Sequence, residues 1–396
     1  MVFPSPMQLL SRFRSIWTVL GCGFLYSAAM FADTLPADGT MLVYFGTYTG
    51  ARSKGIYVSR FDPATGRLTA PELAVEMASP SFLAVHPNRR FLYAAGETST
   101  LEGKRGGAVG AFSLDAKTGR LTLLNRQSSG GEGPCHLAVD QSGKCLLVAN
   151  YGNGTIAALP IQSDGALAEP GTVIQHQGSS VNPARQAGPH AHFITTDPAD
   201  RFALACDLGL DKVLVYRLDP AKAALVANDP PFASVRPGSG PRHLAFDPSG
   251  RFVFLISEMS ATLTAFAYEA KGGALKELQT ISTLPESFSG GRSGAEVQVH
   301  PTGKFVYGSN RGDNSIAVFG FDPKRGELTC LQHQTTQGKT PRHFAIDPTG
   351  QWLLAENQES DSVVVFHVDA TTGRLSPTGQ TISVGAPVCA VFVPAK

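Results

Sequence analysis

The sequence predicts an all-β protein, namely a seven-bladed β-propeller with four antiparallel strands in each blade. Three observations support this prediction. A segment typified by residues 240–250, Gly-Pro-Arg-His-Leu-Ala-Phe-Asp-Pro-Ser-Gly, recurs in seven copies of varying similarity. The turn residues of successive copies lie 47 to 57 residues apart, a period that fits one four-stranded blade. The repeats are also offset from the two ends of the chain, as a closed ring requires.

The rest of each repeat contains further strands and a tight turn. Residues 305–310 and 315–319 form such a strand pair, and residues 322–328 form the turn after it. The strand at 362–368 alternates with period two. Each complete repeat has a segment like 240–250 followed by a strand pair. The first strand pair, which begins at Val43, has no such segment before it, and the last such segment, 385–393, has no strand pair after it. We therefore expect the two ends of the chain to complete one blade together, which leaves no open sheet edge.

Composition favours a single ring over several domains. The chain has 396 residues, a net charge of +1 and only 16% charged residues. This near-neutral balance disfavours nucleic acids and membrane surfaces as partners. We predict a propeller domain over 41–396, a short linker over 33–40, and a monomeric protein.

The N-terminal segment is typical of a secretory signal. Arg12 and Arg14 precede an apolar run over 16–32 that ends in small residues before Asp33. We predict a signal peptide over 1–32 with cleavage near 29–32, and a periplasmic or secreted protein with no stable membrane association after cleavage. An uncleaved membrane anchor is one alternative. A cytoplasmic location is the other, if the leader results from a misassigned start.

The cysteines predict neither disulfides nor a metal site. Cys22 lies in the leader, and the other five are scattered over different blades without a Cys-x-x-Cys pair. We interpret them as small buried side chains. Cys135 and Cys389, at the starts of first strands, are the two whose thiols are expected to reach the channel. No metal and no cofactor are predicted.

The chemistry is expected where the repeats converge. The first strand of each blade lines the channel of a propeller, so one repeat position faces the axis from every blade. Four residues before the turn, this position holds His136, His243, Glu296 and His343, and His192 joins them if its blade carries one extra residue. The alternative interpretation is structural, with each imidazole bonding to the backbone of the neighbouring strand through its N–H.

Departures from the repeat add further candidates, because catalysis requires asymmetry. They are His190, His192, Arg242, Glu258, Arg292 and Arg342. Guanidinium groups suit a carboxylate or phosphate, so they indicate an anionic small molecule. An imidazole beside a carboxylate can act as a general base, and an arginine can stabilise an oxyanion. A Gly-x-Ser-x-Gly motif and a phosphate-binding glycine loop are both missing, which disfavours serine nucleophiles and nucleotide substrates.

Several motifs resemble one family. They are Tyr-Phe-Gly-Thr-Tyr-Thr at 44–49, Gly-Ile-Tyr at 55–57, Asp-Pro-Ala-Thr-Gly-Arg-Leu at 62–68, Gly-Pro-His-Ala-His at 188–192 and Gly-Pro-Arg-His at 240–243. Together they resemble the lactonase family of seven-bladed propellers, which includes the propeller-type 6-phosphogluconolactonases and the carboxymuconate lactonizing enzymes. The resemblance covers essentially all of the chain after the leader. It implies a metal-independent site of His, Arg and Glu residues at the channel mouth.

The resemblance also implies roles. His190 or His192 would be the base, and Glu258 would be its partner or a second acid/base. Arg242 would form an anion clamp with a second arginine, for which Arg292 is the first choice and Arg342 the second. The remaining ring residues would contact substrate: His136, His243, Glu296 and His343.

The implied reaction is hydrolysis of a sugar lactone or a related anionic lactone. The family suggests 6-phosphogluconolactone, whereas export favours a lactone without phosphate. A cycloisomerase with the same residues and a non-enzymatic binding module remain as alternatives.

Overall fold

The computed structural model describes residues 39–101 and 103–396, and the regular secondary structure of this part of the chain is almost entirely β-strand. Its two helices are single 3-10 turns, Pro220–Lys222 and Gln358–Ser360. The strands form seven main sheets, which confirms the predicted seven-bladed propeller. The predicted signal peptide and most of the predicted linker lie outside the described residues. Among the described helices, none has the length and apolar character needed to span a membrane.

Each blade has a first, innermost strand that pairs with a second, then a third and an outer strand. We number the blades 1 to 7, blade 1 being the one that contains both chain ends. The first strands are, in blade order, Pro387–Pro394, Pro80–Val85, Pro134–Val139, Ala191–Thr196, Pro241–Phe246, Gly294–Val299 and Pro341–Ile346. The second strands are Met41–Thr47, Phe91–Gly96, Cys145–Asn150, Phe202–Asp207, Phe252–Ser257, Phe305–Asn310 and Trp352–Asn357.

The third and outer strands complete the blades. The third strands are Gly55–Asp62, Ala108–Leu114, Thr155–Pro160, Lys212–Asp219, Thr262–Glu269, Ser315–Asp322 and Ser362–Val368. The outer strands are Arg67–Leu68 with Glu72–Glu76, then Leu121–Ser128, Thr172–Gln175, Ala224–Ser234, Ala274–Ser282, Glu327–Thr335 and Leu375–Ser383. Blade 2 also carries a small hairpin, Thr100–Leu101 with Lys104–Arg105.

The two ends of the chain close the ring, as predicted. Met41–Thr47 pairs antiparallel with Pro387–Pro394, with Met41 opposite Pro394 and Thr47 opposite Pro387. The first strands of successive blades contact one another around the whole circle, including blade 7 with blade 1. Closure therefore satisfies backbone groups that an open sheet edge would expose.

The hydrophobic core is divided among the seven interfaces between neighbouring blades. Each interface contains its own cluster of buried side chains contributed by both blades. At the closing interface, Phe45 and Phe61 of blade 1 pack with Leu354, Val363 and Trp352 of blade 7. Because side-by-side packing fixes each blade against the next, it also fixes which first-strand side chains meet in the channel.

The turn residues at the far end of the first strands have structural roles. Oδ1 of Asp247 accepts hydrogen bonds from the backbone N–H groups of Arg251 and Phe252 at 2.8 and 2.7 Å. Nε2 of His300 donates to the carbonyl of Gly350 in the next blade at 2.9 Å. These contacts close the turns and link neighbouring blades, so the repeated Asp and His belong to the scaffold.

The five cysteines of the described chain are free. Four are buried, but Cys330 is exposed on the outer strand of blade 6, where the sequence predicted a buried side chain. The outer strand lies at the edge of the blade, and most of its side chains are exposed or only partly buried. Cys135 lines both cavities of the channel, whereas Cys389 is fully buried and lines neither.

Candidate active site

A β-bulge at the start of every first strand determines which side chains enter the channel. In blade 5, Pro241 pairs with Ser257 and His243 with Ile256, so Arg242 has no partner of its own. The same shift occurs in the other six blades. A bulge interrupts the strict alternation of a strand. Consecutive side chains such as Arg242 and His243 can therefore both face the channel.

The bulges create two rings of side chains. The upper ring, from the second residue of each first strand, contains Val388, Ser81, Cys135, His192, Arg242, Ala295 and Arg342. The lower ring, from the third residue, contains Cys389, Phe82, His136, Phe193, His243, Glu296 and His343. Blade 4 has no extra residue, so the prediction that an insertion would bring His192 into the lower ring is wrong. Phe193 takes that place, and His192 lies above it.

The channel mouth holds a cavity of about 190 Å³. Its walls are polar, and they are formed by Glu97, Cys135, Tyr151, Arg185, His192, Glu258, Arg311 and Arg342. A chamber of about 10 Å³ adjoins it below, where Arg242, His243 and His343 also line the wall. The structure therefore brings His192, Glu258 and Arg342 together at the mouth, and Arg242 lines the adjoining chamber.

Glu258 is the centre of an arginine cluster. Oε1 accepts a hydrogen bond from Arg185 at 2.7 Å, and Oε2 accepts one from Arg311 at 2.7 Å. Nε of Arg242 lies 3.2 Å from Oε2. Burial by itself would raise the pKa of Glu258, but Arg311 and Arg242 outweigh it and hold the pKa well below its usual range. Glu258 is therefore a carboxylate at any working pH.

The mouth carries an excess of positive charge. Arg185, Arg242, Arg311 and Arg342 face only two carboxylates, those of Glu258 and Glu97. Burial lowers the pKa of Arg242 to about 9, which leaves its guanidinium charged at neutral pH.

Arg342 differs from the other three arginines because it makes no ion pair within the described chain. Its guanidinium lies 5.4 Å from the ring centroid of Tyr48, and it lines both cavities. It is therefore the group available to an anionic ligand.

His192 is a neutral imidazole at the wall of both cavities. It is 4% exposed, and burial followed by the charge of Arg242 lowers its pKa well below 6.5. Nδ1 is buried without a hydrogen-bond partner, so Nε2 is the nitrogen left to face the mouth. An unprotonated nitrogen beside a carboxylate and several guanidiniums can accept a proton from water while the cations stabilise an oxyanion.

Two residues predicted for the base and the anion clamp, His190 and Arg292, lie outside the cavity walls. His190 stacks on the ring of Tyr151 with centroids 4.5 Å apart and donates from Nδ1 to the Tyr151 carbonyl at 2.8 Å. Of the two histidines left open by the sequence, only His192 lines the cavity. Arg292 precedes the bulged segment of blade 6, and its exposed side chain points to the Ser260 carbonyl at 3.3 Å. The expectation that Arg292 is the second arginine of the anion clamp is therefore wrong, and Arg311 lines the cavity instead.

The other predicted contacts lie in the lower ring, below the mouth. His136 is packed between Phe82 and Phe193, with centroids 4.0 Å away on both sides, and it lines neither cavity. Its Nδ1 accepts the backbone N–H of Ile194 in the next blade at 3.3 Å, so this imidazole bonds to a neighbouring strand as an acceptor and not through the N–H that the structural alternative expected. Glu296 also lines neither cavity and accepts a hydrogen bond from Nδ1 of His243 at 2.8 Å.

Sequence reasoning missed Glu97, Tyr151, Arg185 and Arg311. Three of them occupy the repeat position of Glu258, directly after the second strand, and Tyr48 occupies it in blade 1. Comparing this position across blades would have identified them. Arg185 lies on the loop before the first strand of blade 4, where no repeat signal exists.

The positions of Arg311 and Arg292 predict different effects when each is replaced by alanine. Arg311→Ala is expected to lower kcat/KM for a turned-over lactone by about 10- to 100-fold, because a charge-assisted bond to Glu258 and a cavity cation are lost. Arg292→Ala is expected to stay within about twofold of the unmodified protein, since one exposed hydrogen bond is removed. Steady-state kinetics of both variants checks this, and equal losses would contradict the assignment.

Comparisons with known proteins identify relatives over most of the chain. A family model described as lactonase, 7-bladed beta-propeller, matches residues 42–392. The 6-phosphogluconolactonase of Bacillus subtilis (strain 168) is 36% identical over 350 residues, which are 88% of this chain and 97% of that protein. A 6-phosphogluconolactonase of Formosa agariphila is 32% identical over 306 residues, covering 76% of this chain and 85% of that protein.

Solved structures show the same fold. The periplasmic gluconolactonase of Pseudomonas aeruginosa superposes with a TM-score of 0.85 at 36% identity, covering 90% of this chain and 100% of the other. A protein of Bacteroides fragilis described as a putative 6-phosphogluconolactonase superposes with a TM-score of 0.84, also at 36% identity, covering 91% and 100%.

Proposed function

Because the chain belongs to the lactonase family of seven-bladed β-propellers, we propose that it is a lactone hydrolase that opens sugar lactones in the mouth cavity. The observation that carries the proposal is the neutral His192 in one cavity with ionised Glu258 and its arginines. The related 6-phosphogluconolactonase and gluconolactonase support the substrate class.

The proposed reaction begins with His192 as base. Nε2 takes a proton from water as the oxygen adds to the lactone carbonyl. Arg242 and Arg311, held by Glu258, stabilise the tetrahedral oxyanion. The C–O ring bond then breaks, and the imidazolium returns its proton to the departing ring oxygen. The product is a hydroxy acid, which releases one proton to solvent when its carboxyl ionises.

A lactone panel tests the proposal. Purified protein is incubated with δ-gluconolactone, its 6-phosphate and several γ-lactones, and acid release above the spontaneous rate is recorded. We expect turnover of at least one δ-lactone to the open hydroxy acid. An isomerised lactone as product would indicate a cycloisomerase instead, and ligand binding without any turnover would indicate a binding module.

A chelator is expected to leave the rate unchanged. In the described ranges, no group of three or more His, Cys, Asp or Glu side chains is arranged to hold a metal ion. The proposed step needs only side-chain acids, bases and cations. Assays before and after dialysis against EDTA check this, and recovery of a lost rate by added divalent metal would contradict it.

Arg342 offers a way to identify the charge of the substrate. Arg342→Met is expected to raise KM for the 6-phosphate by about 10- to 100-fold, as the loss of one charge-assisted contact predicts. KM for neutral gluconolactone should change less than about threefold. Arg342→Lys, which keeps the charge, is the control. Equal changes for both substrates would show that Arg342 does not bind the anionic group.

We also propose that the protein is exported. The N-terminal segment has the pattern of a secretory signal, and the related gluconolactonase of Pseudomonas aeruginosa is periplasmic. Cell fractionation and N-terminal sequencing of the mature protein test this. Recovery of the uncleaved chain in the cytoplasm would contradict the proposal.

A further inference from the structure

The small chamber below the mouth has the size and chemistry of a site for one water molecule. Its volume is about 10 Å³, which corresponds to one enclosed water. Its walls include His192 of the upper ring and His243 of the lower ring. The imidazoles of His192 and His243 have centroids 5.2 Å apart, and their planes are inclined by 63°.

Each of these imidazoles has one buried nitrogen without a partner among the described residues, namely Nδ1 of His192 and Nε2 of His243. Both side chains are almost fully buried, 4% and 3% exposed. Buried polar atoms are normally hydrogen-bonded to protein or to ordered water. A single water in the chamber has two nitrogens to bind, which meets the usual requirement for a buried water.

The direction of the hydrogen bonds follows from the groups below. Oε2 of Glu296 accepts from Nδ1–H of His243 at 2.8 Å, so Nε2 of His243 is an acceptor. Oε2 of Glu356 lies 2.8 Å from Nδ1 of His343, and burial raises the pKa of Glu356 well above its usual range. Glu356 is therefore a neutral acid that donates to His343, whose Nε2 lies 3.6 Å from Glu296.

We propose that one buried water joins Nδ1 of His192 to Nε2 of His243, and that His243 and Glu296 act as positioning residues for the base. The water donates to Nε2 of His243 and accepts Nδ1–H of His192. This arrangement keeps Nε2 of His192 unprotonated and directed at the mouth. The kinetic part of this inference rests on the proposed lactone hydrolysis.

The charge on Glu296 provides a pH signature. Burial raises the pKa of Glu296 to about 7. The groups around it are His243, His343, Arg242 and Glu356. Only the ionised form of Glu296 is restricted to accepting from Nδ1–H of His243, because the protonated acid can donate to Nδ1 instead. Support for His192 is therefore complete above this pKa and is lost as pH falls through it. A partial step in kcat near pH 7 should therefore be present in the unmodified protein and missing in Glu296→Gln.

Three variants test the kinetic part. Glu296→Gln removes the anion, and His243→Asn keeps a donor to Glu296 near the Nδ1 position but removes the acceptor toward the water. Both are expected to lower kcat about 10- to 100-fold with KM within twofold, the size typical of outer-layer partners of an active group. Glu356→Gln is the matched control. Glu356 lies in the same buried layer as Glu296 and receives the same substitution, but because Glu356 is already neutral, its charge does not change. Equal kcat values for Glu296→Gln and Glu356→Gln would overturn the inference.

Two measurements do not depend on activity. Long-range ¹H–¹⁵N NMR of labelled protein, with His192→Gln for assignment, should show His192 with its proton on Nδ1, and this preference should be lost in Glu296→Gln. A high-resolution crystal structure should show one water within hydrogen-bond distance of both nitrogens. An unchanged tautomer in Glu296→Gln, or a dry chamber, would overturn the inference even if lactone hydrolysis is established. If the expected tautomer and the water are both observed but no lactone is turned over, only the proposed function would be refuted.

Discussion

Replacing His192 with Gln is expected to lower kcat by about 10²- to 10⁴-fold and to leave the fold intact. Glutamine places an amide near the position of Nε2 but cannot accept the proton of water. The side chain is packed beside Tyr151 and His243, so a residue of similar length avoids a large cavity. Steady-state kinetics with far-UV circular dichroism checks both parts of the expectation.

The lowered pKa of His192 also predicts how kcat changes with pH. Burial and Arg242 lower the pKa of His192 well below 6.5, so the imidazole is an unprotonated base above that lowered pKa. The main loss of kcat should therefore occur as pH falls below 6.5, and it should disappear in His192→Gln.

His190→Asn is the matched control for His192→Gln. It retains a donor near Nδ1 for the Tyr151 carbonyl, and it should stay within about fivefold of the unmodified protein. A greater loss in His190→Asn than in His192→Gln would reverse the assignment of the base.

Glu258→Gln is expected to cost about 3–5 kcal/mol of unfolding free energy. Glu258 is 7% exposed, and the substitution leaves the buried Arg242 and the partly buried Arg311 as uncompensated cations that repel each other. Activity should fall by at least about 100-fold, because the guanidiniums lose the group that orients them for the oxyanion. Urea unfolding and steady-state kinetics measure the two effects.

Two further variants control the Glu258 prediction. Glu97→Gln also removes a cavity carboxylate, but Glu97 accepts only the hydroxyl of Tyr48 at 2.9 Å, so it should cost about 1 kcal/mol. The double variant Glu258→Gln/Arg311→Met should regain part of the lost stability, because one uncompensated charge is removed with its partner. If Glu258→Gln unfolded at the same free energy as the unmodified protein, the arginine cluster would not depend on Glu258.

Much of the site could be predicted because a ring turns sequence repeats into spatial neighbours. Arg242, Glu258 and Arg342 were found as departures from the repeat, and the structure places all three around one cavity system. The expectation that one repeat position per blade faces the channel was wrong for blade 4, since a bulge directs two consecutive residues to the channel. Arg292 was favoured because its segment departs from the repeat, whereas Arg311, nineteen residues further along the chain, is near Glu258 in space.

By itself, the sequence determined the fold class, the number of blades and the closure by both chain ends, because strand alternation, turn chemistry and repeat period are local properties of the chain. Only the tertiary structure decided that His192 rather than His190 faces the cavity, that Arg311 and Arg185 bind Glu258, and that His243 and Glu296 lie beneath the base. These choices depend on bulge register and on the packing of separate blades, which bring together residues such as Arg185 and Glu258 from distant parts of the chain.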